Sequence, residues 1–346
     1  MNSVVRKSSF GIALLMSATL AGCGAAPTEA PAAGSGAKNC MVTDINGPDD
    51  RAFNQAAFTG LKEVAGTAGT PPTVVVSKTE ADYDGNVSAL VSQGCNIIVG
   101  VGFPLADAVN AAAAKSPAQN FALVDETSSE PNVKSLVFDT RQAAFLAGYA
   151  AASYSKAGIV GTYGGIQIPP IVQFMEGFTR GVSYFNEAHQ KSVRVIGWES
   201  DTQNGTFVGG FEANEKAKTT AVGIIDQGAD VIMPVGGPIF LAAAEAIHDS
   251  GKSVALIGVD SDAYESAPEI RDLFLTSVIK RVNVAVAKVA AESNSGKFNA
   301  EPYTGTLEND GVGIAPFHSF GSKVSPDLMA ELGEVTSKII DGTIAF

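Results

Sequence analysis

Histidine is scarce: His189, His248 and His318 are the only three in 346 residues, and their spacing fits no metal-ligand pattern. No G-x-S-x-G elbow is present, so an α/β-hydrolase would lack its nucleophile. There is no Walker A loop, and Gly100-Val101-Gly102 is followed by Leu105 where the dinucleotide fingerprint needs glycine. The sequence therefore reads as a protein that catalyses nothing and needs no cofactor or metal. Three cysteines are too few for a disulfide scaffold or a structural zinc site. Lysine and arginine number 23 against 36 acidic residues, a formal net charge of -13. A surface that acidic repels nucleic acid and anionic lipid, which excludes a polyanionic partner.

What is present begins with a three-part leader. Arg6 and Lys7 precede an apolar run from Phe10 to Leu20, too short to span a bilayer permanently. Leu20-Ala21-Gly22-Cys23 resembles a bacterial lipobox, which implies a signal peptide over 1–22 and lipidation of Cys23. Residues 23–38, rich in Ala, Pro, Gly and Ser, bury too little apolar surface to order themselves and read as a flexible tether. The mature chain is expected at the cell membrane, held by its lipid on the extracytoplasmic face.

From Cys40 onward, short β-branched runs alternate with longer helical stretches. Strands are predicted at Met41–Ile45, Thr73–Ser77, Asn96–Val101, Phe121–Asp125, Ser135–Asp139, Gly158–Thr162, Ser192–Gly197, Asp230–Pro234, Val254–Asp260 and Phe274–Val278. Such alternation implies parallel sheets covered by helices, and ten strands divide better into two sheets than one. Several strands end in polar or glycine-rich turns: Asp44 with Asn46-Gly47, Gly100-Val101-Gly102, Asp125, Gly236-Gly237 and Asp260. Ligands bind beyond the carboxyl ends of parallel strands, so these turns should line a cleft between two α/β lobes. The first strand of such a sheet normally neighbours the third. Cys40 and Cys95 would then lie side by side, so a disulfide is predicted, the alternative being two buried thiols.

Asp44-Ile45-Asn46-Gly47-Pro48-Asp49-Asp50-Arg51-Ala52-Phe53-Asn54-Gln55 resembles the opening motif of the basic membrane protein family, the purine-nucleoside-binding lipoproteins of ABC transporters. Further stretches match in order: Val101-Gly102-Phe103, Phe121 to Asp125, Ala144 to Tyr149, Gly177-Phe178 with Gly181-Val182, Gly228 to Ile232, Gly258-Val259-Asp260, and Thr276 to Arg281. The resemblance spans Asp44 to Arg281. It implies the type I periplasmic-binding-protein fold, with one lobe over 39–139 plus 280–310, the other over 140–279 plus 311–346, and a hinge between them. It also implies an ABC permease as partner; with no coiled-coil seam visible, a monomer is expected.

The resemblance assigns Phe53 to stack on a purine from the first lobe, and Phe211 is the best match for its counterpart, with Trp198 and Phe207 as nearby alternatives. Asp260 resembles the family's ribose-binding aspartate and Lys280 its companion. Asp125 could accept from purine N–H groups, while Asp44, Asn54 and Gly236 complete the expected set. Carboxylates suit a sugar because one group can accept two hydroxyl hydrogen bonds. A same-fold receptor for a free sugar or autoinducer-like ligand is the alternative. The chain departs from the family at Ala52 (serine there), at Ala213 (often an acid), in Gly236-Gly237-Pro238-Ile239-Phe240, and in an apparent insertion at Asp201–Gly205.

Overall fold

The computed structural model describes residues 36–66 and 69–346. The signal segment, Cys23 and most of the tether lie outside the described residues. Among those described, no helix is long and apolar enough to cross a membrane. The chain runs β1 (Asn39–Thr43), α1 (Phe53–Ala65), β2 (Thr73–Val76), α2 (Tyr83–Ser92), β3 (Ile97–Val101), α3 (Ala106–Lys115), β4 (Asn120–Val124) and β5 (Val133–Phe138). Then come α4 (Thr140–Tyr154), β6 (Ile159–Gly164), α5 (Pro169–His189), β7 (Arg194–Ile196), β8 (Trp198–Glu199), β9 (Asn204–Gly205), α6 (Glu215–Asp226) and β10 (Val231–Val235). The remainder is α7 (Ile239–Ser250), β11 (Ala255–Asp260), α8 (Ala263–Ser266), β12 (Phe274–Lys280), α9 (Val282–Asn294), β13 (Tyr303–Gly305), β14 (Val312–Ile314) and α10 (Leu328–Ile340).

Twelve of the strands form two six-stranded sheets, ordered β13-β5-β4-β3-β1-β2 and β14-β12-β11-β10-β6-β7, and β8 pairs with β9 alone. All pairings within the two six-stranded sheets are parallel except β12 with β14. Central strands such as β1 and β3 are buried along their whole length, because a parallel sheet is covered on both faces. The architecture is α/β, with two lobes.

Each lobe has its own device for tight packing. In the first, β1 lies between β2 and β3, and a disulfide joins Cys40 to Cys95, whose Cα atoms are 6.0 Å apart. Closing that loop of 55 residues removes unfolded-state freedom equivalent to about 4 kcal/mol in the chain-entropy treatment. In the second, α4 and α5 meet backbone to backbone. A Cβ at Gly148 would overlap the Phe178 carbonyl, one at Gly177 that of Arg141, and one at Gly181 that of Phe145. These glycines belong to the sequence stretches that carry the family resemblance, and close helix contact is the physical reason for them.

The segments linking the sheets run side by side. Asp139 N–H donates to Gly305 O at 2.8 Å and Arg281 N–H to Gly311 O at 3.0 Å. Gln142, at the start of α4, accepts from Leu307 N–H at 2.8 Å.

Candidate functional site

Asp50 organises the first-lobe wall. Its carboxylate accepts from the backbone N–H groups of Ala52, Asn54 and Gln55 at 2.9–3.0 Å. Those are orphan donors at the start of α1, where the residue preceding the helix, Ala52, has no side-chain oxygen to offer. A carboxylate two residues earlier therefore does the capping that Ala52 cannot. Burial pushes the Asp50 carboxyl up to about 6, against the three backbone hydrogen bonds and with a smaller push from Asp260.

Asn54, 1% exposed, donates through Nδ2 to Asp44 Oδ1 at 2.9 Å and to Asp50 Oδ2 at 3.1 Å. Two carboxylate acceptors fix the amide's orientation. Its Oδ1 is buried without a hydrogen-bond partner. Asp44 also accepts from Asn46 N–H at 3.0 Å, and burial raises its pKa despite these hydrogen bonds.

Lys280, at the end of β12, joins the lobes electrostatically. Its ammonium lies 2.6 Å from Asp125 and 3.2 Å from Asp260. Asp125 follows β4 and Asp260 ends β11, so each lobe's sheet delivers one aspartate from a strand end. Both have positive φ, 69° in each case, a conformation aspartate tolerates better than most residues. The lysine is 3% exposed. Burial opposes its charge, but Asp125 and Asp260 outweigh burial and hold its pKa above the ordinary value. Burial raises Asp125 as well, outweighing the attraction of Lys280, and Asp260 adds a like-charge push. The ammonium also sits 4.4 Å from the Phe53 ring centroid and 5.6 Å from that of Phe174.

The opposite wall is largely apolar. Phe211 packs on bare backbone: a Cβ at Gly165 or Gly236 would overlap its ring carbons, and Gly236 has φ 125°. Ile168, Ile171 and Phe174 come from the start of α5, where Pro169 and Pro170 remove two N–H donors. Trp198 and Phe207 face each other edge to face, 6.4 Å between centroids, and neither lines the cleft. The Asp201–Gly205 stretch forms the tip and return strand of the β8–β9 hairpin, where Trp198 Nε1 donates to Glu176 at 2.8 Å.

The structure thus brings Asp44, Phe53, Asn54, Asp125, Phe211, Gly236, Asp260 and Lys280 to one cavity. Sequence reasoning did not single out Asp50, Tyr83, Phe103, Ile168, Ile171 or Phe174, which line it too. Asp50 could have been found from its place just ahead of a helix start; the apolar residues look like any core positions. Among the described residues no cluster of metal-ligating side chains occurs. The cavity holds four carboxyl groups against one ammonium, a wall chemistry that favours neutral hydrogen-bond donors and disfavours anions.

A family model described as ABC transporter substrate-binding protein PnrA-like matches residues 37–345. The ABC transporter nucleoside-binding protein BmpA of Lactococcus lactis subsp. cremoris is 32% identical over 353 residues, 96% of each chain. The CD4+ T-cell-stimulating antigen of Listeria monocytogenes is 32% identical over 324 residues, 88% of this chain and 86% of its own. Among solved structures, an ABC transporter solute-binding protein from Aeropyrum pernix is similar with a TM-score of 0.80 and 25% identity, over 90% of this chain and 93% of its own.

Proposed function

The chain belongs to the basic membrane protein family of PnrA-like ABC transporter substrate-binding proteins, and on that premise we propose that it captures a purine nucleoside between its lobes and delivers it to an ABC permease. The carrying observation is the pairing, in one cavity, of two phenylalanines from opposite lobes with the Asp125–Lys280–Asp260 cluster. Stacking of a base on an aromatic ring contributes about 1–3 kcal/mol. The unpartnered Oδ1 of Asn54 and the carboxylate of Asp44 suit N–H donors on the base edge. Asp260 suits a pair of sugar hydroxyls. Lys280 has three N–H donors and two carboxylate neighbours, which leaves one for a ligand oxygen.

The same wall chemistry argues for a nucleoside over a nucleotide. A phosphate would meet four carboxyl groups, and the two prolines at the start of α5 withhold the backbone donors that helix N-termini offer anions. The lobes, taken as 39–139 plus 280–310 and 140–279 plus 311–346 with Lys280 at the boundary as the last residue of β12, would close about the side-by-side linking segments. The name of the Lactococcus relative, a nucleoside-binding protein, supports the ligand class. Lipidation at Cys23 would keep a monomeric receptor beside its permease on the extracytoplasmic face.

A thermal-shift panel tests the reading, since a ligand at 100 times its Kd stabilises the native state by about 2.7 kcal/mol. Inosine, guanosine or adenosine should raise Tm, whereas free ribose and the corresponding 5′-monophosphates should not. Stabilisation by ribose alone, or by none of these compounds, contradicts it.

A further inference from the structure

Beside the cleft, one residue of the first lobe is gripped by three of the second. The Arg51 carbonyl oxygen accepts from the hydroxyl of Ser266 at 2.7 Å and that of Ser261 at 3.3 Å, and the Arg51 guanidinium pairs with Glu269. Arg51 itself has φ 61°, left-handed backbone in which a non-glycine residue is held at a cost. That conformation turns its carbonyl toward the second lobe. The two serines are its side-chain donors.

The gripping side is well anchored. Asp262 caps α8 by accepting from Tyr264 N–H at 3.2 Å, and Ala263 N–H donates to Ser277 Oγ at 3.0 Å. Asp262 also contacts His318 Nε2 at 2.8 Å, and the His318 ring stacks on Tyr264 with centroids 4.0 Å apart. The segment after β11 is therefore tied to β12 and to the stretch following β14.

Each partner is continuous with the candidate site. Arg51 lies between Asp50 and Phe53, while Ser261 follows Asp260. We propose that Arg51 with Ser261, Ser266 and Glu269 forms a clasp that holds the lobes closed and sets the rate of ligand release. These are positioning residues: none lines the main cavity. The hydroxyl contacts carry most of the effect, because the ion pair is 40% and 48% exposed at its two ends and is screened by solvent. Contacts made only after closure slow dissociation and leave association nearly unchanged.

The inference rests on the nucleoside reading only through the choice of probe. Release of radiolabelled inosine from the mature protein is the measurement, with radiolabelled ribose as a second probe should inosine not bind. Ser266→Ala should speed release by about 3- to 10-fold, the effect of one lost hydrogen bond, with association altered less than twofold. Arg51→Gln and Glu269→Gln should each speed release by up to about 5-fold. The double variant should be no faster than the quicker single, since both remove one interaction. An unchanged release rate in Ser266→Ala, or fully additive effects in the double variant, overturns the clasp. Should neither probe bind, the nucleoside reading fails on its own, and X-ray scattering of the unliganded protein decides the clasp. A larger radius of gyration in Ser266→Ala than in wild type supports it, and equal radii overturn it.

Discussion

The two walls of the cleft differ in how many polar groups they carry. The first-lobe wall sets a polar lattice, in which Asp50 caps α1 and Asn54 bridges Asp44 and Asp50, beside apolar surface from Phe53, Val101, Phe103 and Leu105. The second-lobe wall is apolar surface from Ile168, Ile171, Phe174 and Phe211 laid over glycine backbone, with Asp260 as its acidic group. Both walls supply apolar shape, and the first also holds most of the hydrogen-bonding groups, at fixed positions. Lys280 is the exception that links them, being carried by the second sheet yet paired to an aspartate from each lobe. Recognition of a ligand with a polar edge and a flat face divides naturally between such walls.

The comparison breaks most severely if its link is removed. Lys280→Met leaves two buried carboxylates facing each other, and loss of one partner from such a cluster costs about 3–5 kcal/mol. Tm should fall by many degrees and nucleoside binding should vanish; a variant with unchanged Tm would mean that the cluster is solvated and contributes little.

The polar wall has a pH signature. Asp50 has an ordinary value of 3.8 and is raised to about 6 in the fold. The native state therefore holds this proton more tightly than the unfolded chain does between those values. Stability from this group is fully present below the lower value and is lost as pH rises through the upper one, a change of about 3 kcal/mol at most. Asp50→Asn should flatten the dependence of unfolding free energy on pH between 4 and 6, measured by urea titration. An identical slope in both proteins would place the raised pKa elsewhere.

The aromatic contributions are smaller. Phe53→Ala and Phe211→Ala should each weaken nucleoside binding by about 1–3 kcal/mol, read by calorimetry, with little effect on the pH profile. Gly236→Ala should act on the second wall alone. A Cβ there displaces the Phe211 ring and lowers affinity about tenfold, 1.4 kcal/mol. Were it to match wild type, Phe211 would not be a ligand surface.

The difference between the walls also governs how much was readable beforehand. Strand–helix alternation placed the ten predicted strands to within a few residues, because parallel strands are continuous β-branched runs between helices. Strands β8, β9, β13 and β14 were missed. Each is two or three residues long, and they are made by pairing at a hairpin or sheet edge rather than by any local pattern. On the polar wall, charged and amide residues crowded into 44–55 stand out against an apolar background. On the other wall, Ile171 and Phe174 lie on an amphipathic helix and carry no mark that separates ligand contact from core packing. Phe211 was already preferred over Trp198 and Phe207, and the structure lays its ring over Gly165 and Gly236 while the other two lie off the cleft.

A crystal structure of the protein with inosine bound is the most direct test. The account predicts the hypoxanthine ring between Phe53 and Phe211, with the ribose hydroxyls on Asp260 and Lys280. A base lying outside that pair of rings, or a sugar turned away from Asp260, would contradict it.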